Sequence, residues 1–198
     1  MANNFFKNIV KSEVTRMVAA LALVGMLSGL VLVFVYQYSM PKIKKNLTKA
    51  TISSIKNIFP KMKDVKIIKK YKDRSKDIIK VVDKDGKTLG YACAAKGNGY
   101  QGTIELVLGT NSDISNLEGF EVLESQETPG LGAEITGMAF RKQFIGLSIT
   151  HLIEYVKNKK PDQPYEIEAI TGATISSRAV VNILNRRITK LRKELKSE

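Results

Sequence analysis

The sequence has very few of the residues that bind transition metals or form disulfides. Of its 198 residues one is cysteine and one is histidine, and tryptophan does not occur. A single cysteine, Cys93, excludes a disulfide within the chain. A zinc centre or an iron–sulfur cluster needs several cysteine or histidine ligands. We therefore expect no such centre to be built from this chain alone.

The same scarcity argues against nucleophilic catalysis. Cys93 lies among small residues in a segment that reads as a strand, which predicts a buried thiol rather than a nucleophile. A histidine-based triad would have to use His151, and no G-x-S-x-G motif accompanies it. The sequence gives no indication of a substrate-transforming active site.

Acidic residues are scarce relative to basic ones, 19 against 32, and the formal net charge is +13. Such a chain can attract nucleic acid. However, its lysines are scattered, and no aromatic-interleaved patch or DNA-binding motif accompanies them, so we expect no nucleic-acid partner. The first basic cluster follows an apolar span, which favours contact with membrane lipid, although a solvated lysine-rich face fits equally well. This cluster consists of Lys42, Lys44, Lys45 and Lys49.

Charge is absent altogether from residues 17–41, which are long enough to cross a bilayer as a helix. Tyr36 and Tyr38 lie where an interfacial aromatic belt would be. No small-x-small cleavage site follows, so we expect an uncleaved anchor after an N-terminal segment, residues 1–16. Gly25 and Gly29 have the G-x-x-x-G spacing that would let another helix approach closely.

After the anchor, the apolar spacing predicts a stalk helix over residues 42–60 that stops at Pro60. Residues 65–68 and 78–82 read as strands, and Asp85-Gly86 is a strong hairpin signal after the second of them. The globular part is therefore expected to begin as an antiparallel sheet.

Hydroxyl-bearing residues lie at the predicted start of the last helix. The alternating segment 165–170 reads as a short strand, and from Ala179 the apolar residues recur at helical spacing. A strand that passes through Thr171-Gly172-Ala173-Thr174 into a helix directs unpaired N–H groups and the positive end of the helix dipole at one point. A phosphate would be stabilised there, and Arg178 could add a charge-assisted hydrogen bond. Ordinary N-capping by threonine or serine is the structural alternative.

Two further segments are rich in glycine. Residues 97–102 contain three glycines and Tyr100, which has a flat face and a polar tip; by itself this is a hairpin or bulge. Residues 124–132 contain a proline and two glycines, which predict a constrained loop. Beyond them, Phe140 and Phe144 have the spacing of core contacts on a short helix, and residues 151–160 read as an exposed connection.

Three of these segments resemble one known family. Thr171-Gly172-Ala173-Thr174, followed by Ile175-Ser176-Ser177, is similar to the motif of the FMN-binding domains in the Rnf and Nqr membrane complexes. Glu127-Thr128-Pro129-Gly130-Leu131-Gly132 matches a loop of that family residue for residue, and the segment around Tyr100 resembles its Gly-Tyr-x-Gly-x-Ile stretch. The family usually has aspartate three residues before the threonine motif, where this chain has Glu168.

The resemblance implies that FMN is the cofactor and that Thr174 carries it through a phosphoester bond installed by a flavin transferase. Thr171, Gly172 and Ser176 would shape the phosphate site, while Tyr100 and the loop of residues 127–132 would lie near the ring. The residues implied to bind FMN are Thr174, Thr171, Gly172, Ala173, Ser176, Tyr100, Glu127, Thr128, Pro129, Gly130, Leu131 and Gly132.

The expected architecture is α+β. An N-terminal segment (1–16), a transmembrane helix (17–41) and a stalk helix (42–60) precede an FMN-binding domain (61–198), whose antiparallel sheet has flanking helices. The naive positive-inside rule puts this domain in the cytoplasm, because more lysines follow the span than precede it. The family implies the opposite, a domain outside the cytoplasmic membrane, and we follow the family.

By the same resemblance, the chain would carry electrons in an Rnf-type complex that couples ferredoxin and NAD redox chemistry to Na⁺ or H⁺ translocation. Its partners would be the other integral membrane and redox subunits of that complex. One alternative is a free-standing, membrane-anchored FMN-binding reductase or regulatory flavoprotein. Another is a structural or lipid-binding module without flavin.

Overall fold

The structure is a computed structural model that describes residues 13–69 and 77–196. Most of the expected N-terminal segment, residues 1–12, lies outside the described residues. The chain divides into two compact units, residues 1–48 and 49–198.

The first helix, α1, runs without interruption over Glu13–Ile58. Its first part, Glu13–Met40, is the one helix in the described ranges that is long and apolar enough to cross a membrane, and it contains an 18-residue window with a mean hydropathy of 2.7. The expected boundary between anchor and stalk, at residues 41 and 42, falls inside this helix, because Pro41 removes one backbone donor without ending it. The helix does end just before Pro60, whose ring disfavours helical geometry in the residue ahead of it.

The second unit is built on a five-stranded antiparallel sheet in simple sequential order. Its strands are β1 (Asp64–Lys69), β2 (Ile78–Val82), β3 (Thr88–Asn98), β4 (Thr103–Asn111) and β5 (Leu117–Ser125). The turn between β2 and β3 contains Asp85 and Gly86, and Gly86 has φ of +78°. The predicted hairpin and the antiparallel sheet are therefore confirmed.

After β5 come a 3₁₀ turn (Gly132–Thr136), the short helix α2 (Met138–Arg141) and a second 3₁₀ turn (Lys142–Phe144). They are followed by β6 (Glu154–Val156), β7 (Glu166–Glu168) and the C-terminal helix α3 (Thr174–Lys196).

Each face of the sheet is covered by a helix. Along β3, Cys93 and Ala95 belong to the core that α3 covers, whereas Ala92 and Ala94 belong to a second core with Ile55 near the end of α1. The separation follows from the alternation of side chains along a strand. Cys93 is fully buried, as predicted, and burial raises the pKa of its thiol from 9.0 to about 11.

A buried arginine ties α3 to the sheet. The Nε of Arg187 donates to the carbonyl oxygen of Ala94 at 3.2 Å, and its Nη1 forms an ion pair with Glu194 at 3.1 Å. A buried charge is tolerated only when it is paired and hydrogen-bonded, and both conditions are met here. These bonds hold α3 on the sheet, and with it the residues at the start of the helix.

Three phenylalanines fill the space between β5 and the short helical turns. Phe120, Phe140 and Phe144 pack edge to face, with the centroids of Phe140 and Phe144 5.2 Å apart. The predicted core role of Phe140 and Phe144 is confirmed.

The expectation for residues 151–160 was incomplete. Within that segment β6 pairs in parallel with β7, and Asn185 of α3 binds both the N–H and the carbonyl of Ile153 at 2.8 Å. A three-residue strand is too short to show a periodic pattern, and both of its partners lie later in the chain. The segment is thus an ordered part of the domain, and its partner strand β7 leads into the threonine motif.

Candidate cofactor site

The threonine motif forms a tight turn at the start of α3. The Ala173 N–H donates to the carbonyl oxygen of Ile170 at 3.0 Å, and Gly172 between them has φ of +80°. A type II turn needs a positive φ at that position, which explains the glycine. Thr174 is then the first residue of α3. The N–H groups of this first turn have no intrahelical acceptor.

Ser177 supplies the hydrogen bonds that hold this turn. Its hydroxyl accepts from the Ile170 N–H and donates to the Ala173 carbonyl, each at 3.0 Å. Thr174, which is half-buried, makes no side-chain hydrogen bond within residues 13–69 and 77–196. The hydroxyl of Ser177 thus holds the turn ahead of the helix, and the Thr174 hydroxyl stays available.

Glu127 connects the other two motifs to this turn. One carboxylate oxygen, Oε1, accepts from the backbone N–H groups of Tyr100 at 2.6 Å and Gln101 at 3.2 Å. The other, Oε2, accepts from the hydroxyl of Ser176 at 2.6 Å. Glu127 is 6% exposed and Ser176 3%. One buried carboxylate therefore joins the Tyr100 loop, the proline-containing loop and the first turn of α3.

Two glycines make room for that carboxylate. A Cβ at Gly132 would lie 2.5 Å from Oε2 of Glu127 and 2.7 Å from Oγ of Ser176. A Cβ at Gly99 would overlap Oε1 of the same carboxylate. Because such distances are too short for real atoms, both positions need glycine to let the three segments close around Glu127.

The loop of residues 127–132 reaches the threonine turn through its leucine. The N–H groups of Leu131 and Ala133 both donate to the carbonyl of Thr128, and Gly130 has φ of +74°. The turn leaves Leu131 49% exposed, with Cδ2 3.4 Å from where a Cβ on Gly172 would lie. Leu131 therefore covers one side of the site while Pro129 and Gly130 remain exposed.

The structure thus sorts the residues expected to bind the cofactor into two groups. The inner group, Glu127, Gly132 and Ser176, is buried and its polar side-chain atoms bind one another. Ala173 is also buried. The outer group is at least partly exposed and consists of Tyr100, Thr128, Pro129, Gly130, Leu131, Thr171, Gly172 and Thr174.

Sequence reasoning missed one neighbouring feature. The side chain of Gln143 clamps the backbone of Glu168, accepting from its N–H at 2.7 Å and donating to its carbonyl at 3.2 Å. This clamp lies in an open groove of about 490 Å³ that reaches Thr171. The groove is lined by Ala139, Phe140, Gln143, Glu168, Ala169, Ile170 and Thr171. Gln143 and Glu168 are 25 residues apart, and nothing in the local pattern of either indicates the contact.

These residues fit the phosphate end of FMN. The available hydroxyl of Thr174 stands at the N-terminus of a 23-residue helix, where negative charge is favoured. Arg178, one turn further along α3, is exposed and can approach an anion bound there. Gly172 has no side chain to obstruct the approach from the turn.

Comparison with known proteins identifies the family of the chain. The FMN-binding domain family matches residues 99–189, which include the Tyr100 loop, the proline-containing loop and the threonine turn. The G subunit of an ion-translocating oxidoreductase complex from Methanosarcina acetivorans is 31% identical over 178 residues, covering 87% of this chain and 92% of the relative. This chain belongs to the G-subunit family of such complexes.

Other members of this family are similar over shorter stretches. The G subunit of the Na⁺-translocating ferredoxin:NAD⁺ oxidoreductase complex of Acetobacterium woodii is 35% identical over 102 residues, 51% of this chain and 48% of the relative. The proton-translocating counterpart of Clostridium ljungdahlii is 39% identical over 97 residues, 49% of this chain and 50% of the relative. Together with the apolar first part of α1, family membership indicates a single-pass membrane protein.

Two solved structures share the fold. NqrC of Shewanella oneidensis superposes with a TM-score of 0.53 at 19% identity, covering 68% of this chain and 73% of that one. The C subunit of the Na⁺-translocating NADH-quinone reductase of Parabacteroides distasonis gives 0.56 at 25% identity, covering 69% and 79%. The expected α+β architecture is confirmed.

Proposed function

We propose that this G-subunit homologue is an electron carrier of a membrane-bound, ion-translocating Rnf-type complex and holds FMN covalently on Thr174. The observation that carries the proposal is the available Thr174 hydroxyl at the start of α3, beside the loops that Glu127 draws together. FMN supplies one-electron transfer when bound. The chain supplies the attachment point and the surroundings of the ring.

Attachment through Thr174 requires a donor in which the flavin phosphate is activated. Oγ1 of Thr174 forms a bond to phosphorus while the pyrophosphate bond of a flavin dinucleotide breaks, and AMP leaves. The hydroxyl proton goes to solvent or to a base of the flavin transferase, so the reaction needs no oxidant. The helix N-terminus and Arg178 stabilise the phosphodiester, which keeps one negative charge.

A covalent bond suits a domain that faces away from the cytoplasm. A flavin that dissociated there would diffuse away and would not be replaced, and a phosphoester removes that route of loss. In this proposal the apolar part of α1 spans the cytoplasmic membrane once, and the domain of residues 61–198 lies outside.

The partners follow from the relatives. The A. woodii and C. ljungdahlii proteins belong to complexes named for ferredoxin:NAD⁺ oxidoreduction with Na⁺ and proton translocation respectively. We propose the same coupling here, to Na⁺ or H⁺, with the other membrane and redox subunits of the complex as partners.

Flavin fluorescence on a denaturing gel tests the attachment. Full-length wild type, Thr174→Ala and Thr189→Ala are produced together with a competent flavin transferase. The wild type is expected to fluoresce and Thr174→Ala to be dark, because only a covalent flavin survives denaturation. Thr189→Ala is the matched control and should fluoresce, since it removes an exposed threonine hydroxyl of the same helix but leaves Thr174. A dark wild-type band would refute the covalent bond.

Purification from the native host in mild detergent distinguishes a member of a complex from a free-standing flavoprotein. A tag on this chain is expected to recover other integral membrane subunits in fixed proportion. Recovery of a homogeneous, fluorescent single chain would contradict the complex while leaving the flavin site intact.

A further inference from the structure

The buried carboxylate of Glu127 accepts three hydrogen bonds from two segments distant in sequence. Tyr100 and Gln101 lie 27 and 26 residues before it, and Ser176 lies 49 residues after it. The two oxygens of a carboxylate offer about four acceptor sites, and these three donors occupy most of them. Its oxygens are committed to the protein rather than directed to a flavin.

We infer that Glu127 is a positioning residue that aligns Thr174 for flavin attachment by joining the Tyr100–Gln101 backbone to the first turn of α3. The inference rests on the proposed attachment at Thr174. It replaces the expectation that Glu127 itself contacts the cofactor.

Helix geometry explains how Glu127 acts through Ser176. Successive residues of an α-helix are rotated by about 100°, so Thr174 and Ser176 differ by about 200° and point to nearly opposite sides of α3. When Oε2 of Glu127 binds the Ser176 hydroxyl on the buried side, Thr174 is directed outward. The burial agrees, because Ser176 is buried and Thr174 half-buried.

The surroundings leave this arrangement little freedom. Gly99 and Gly132 enclose the carboxylate so closely that neither can carry a side chain. A buried acceptor that loses its donor is left with the full cost of its desolvation. The Tyr100 loop, the proline-containing loop and the start of α3 are therefore expected to hold their positions as a unit.

The test uses the full-length chain in detergent, purified without flavin from cells that lack a flavin transferase. Its variants are Glu127→Gln, Ser176→Ala, the double variant and Glu134→Gln. Glu127→Gln keeps the size of the side chain but replaces one acceptor oxygen by a donor. Glu134→Gln is the matched control, because Glu134 is an exposed carboxylate seven residues further along the same loop.

The first readout is hydrogen exchange at the Tyr100 and Gln101 amides of the flavin-free protein. Ser176→Ala removes a donor from α3, yet we expect faster exchange at these two amides with little change along β4. Glu127→Gln should do the same and Glu134→Gln should not. If the role of Ser176 were purely local, the Tyr100 and Gln101 amides of Ser176→Ala would exchange at the wild-type rate.

The second readout is the initial rate of flavin incorporation when FAD and transferase are added. We expect Glu127→Gln and Ser176→Ala each to slow it by about tenfold, which corresponds to one hydrogen bond of about 1.4 kcal/mol. The double variant should be no slower than the slower single variant, because both substitutions break the same hydrogen bond, the one between Ser176 and Glu127. Wild-type rates in both folded single variants, or multiplied losses in the double variant, would overturn the inference.

The experiments distinguish a failure of the proposed attachment at Thr174 from a failure of the proposed role of Glu127. If the wild type incorporates no flavin, the attachment at Thr174 is wrong, and the exchange experiment on flavin-free protein still decides whether Glu127 joins the segments. If Glu127→Gln does not fold, Ser176→Ala decides the matter alone: unchanged exchange at Tyr100 and Gln101 would refute the coupling.

Discussion

The hydroxyl of Ser176 donates to Oε2 of Glu127 at 2.6 Å, although the two residues are 49 positions apart. Each belongs to a different motif that resembles the FMN-binding family. Their bond shows that part of this shared pattern is satisfied within the protein itself. We expect the remaining positions of the pattern to face the cofactor.

Thr174→Val should abolish covalent flavin without destabilising the domain. Valine has nearly the shape of threonine, and the Thr174 hydroxyl has no hydrogen-bond partner among the described residues. We expect unfolding free energies within about 0.5 kcal/mol of the wild type. Intact-mass analysis and chemical denaturation of the same samples measure both effects. Covalent flavin on the valine variant would show that another residue carries the flavin.

Gly172→Ala should weaken both stability and flavin incorporation. A non-glycine residue at φ of +80° costs about 1–2 kcal/mol, and the added methyl itself makes only ordinary contact with Leu131. Gly86→Ala is the control, since Gly86 has φ of +78° in open space in the β2–β3 turn. It should lose similar stability yet incorporate flavin at the wild-type rate. Equal rates of flavin incorporation in the two variants would show that the conformation of the turn at Gly172 does not affect flavin attachment.

Ser177→Ala should loosen the turn before α3. The substitution removes the hydroxyl that bridges the Ile170 N–H and the Ala173 carbonyl, and Ser177 is fully buried. The Ala173 carbonyl keeps the Ser177 N–H as its donor at 3.0 Å, but the Ile170 N–H loses its acceptor, which costs about 1–3 kcal/mol. Urea denaturation measures the loss, and faster hydrogen exchange at Ile170 locates it. An unchanged exchange rate at Ile170 would mean that the bridge is not formed in solution.

Cys93 should make stability depend on pH in the alkaline range. Burial raises the pKa of its thiol to about 11 in the folded chain, against an ordinary value of 9.0, while nearby Arg187 opposes the rise. The stability due to the neutral thiol is complete below pH 9 and is lost as pH rises towards 11, by up to about 3 kcal/mol.

Denaturation of wild type and Cys93→Ala at about pH 8 and about pH 10.5, on either side of the ordinary thiol pKa, measures this loss. The advantage of the wild type should shrink at the higher pH. In addition, the folded wild type should resist thiol alkylation at the lower pH and react once it is unfolded. Rapid alkylation of the folded protein would show that Cys93 is accessible.

Local patterns predicted much of this architecture. The uncharged stretch after Met17, the Asp85-Gly86 hairpin, and the Phe140 and Phe144 contacts each depend on residues close together in sequence, and each is found in the structure. One strand was missed where the pattern was too short. Residues 151–160 were expected to be an exposed connection, yet they contain β6, whose three residues pair with a strand that comes later in the chain.

The sequence by itself determined the apolar first part of α1, the hairpin at Asp85-Gly86 and the threonine motif. Hydrophobic period, turn residues and short motifs are local properties that a chain carries before it folds. Only the tertiary structure decided which motif residues face outward and which bind one another. That choice depends on hydrogen bonds between Glu127 and groups 26 to 49 residues away, and on the close approach that Gly99 and Gly132 allow. Such contacts arise when β5 and α3 pack on the same core, and no local pattern encodes them.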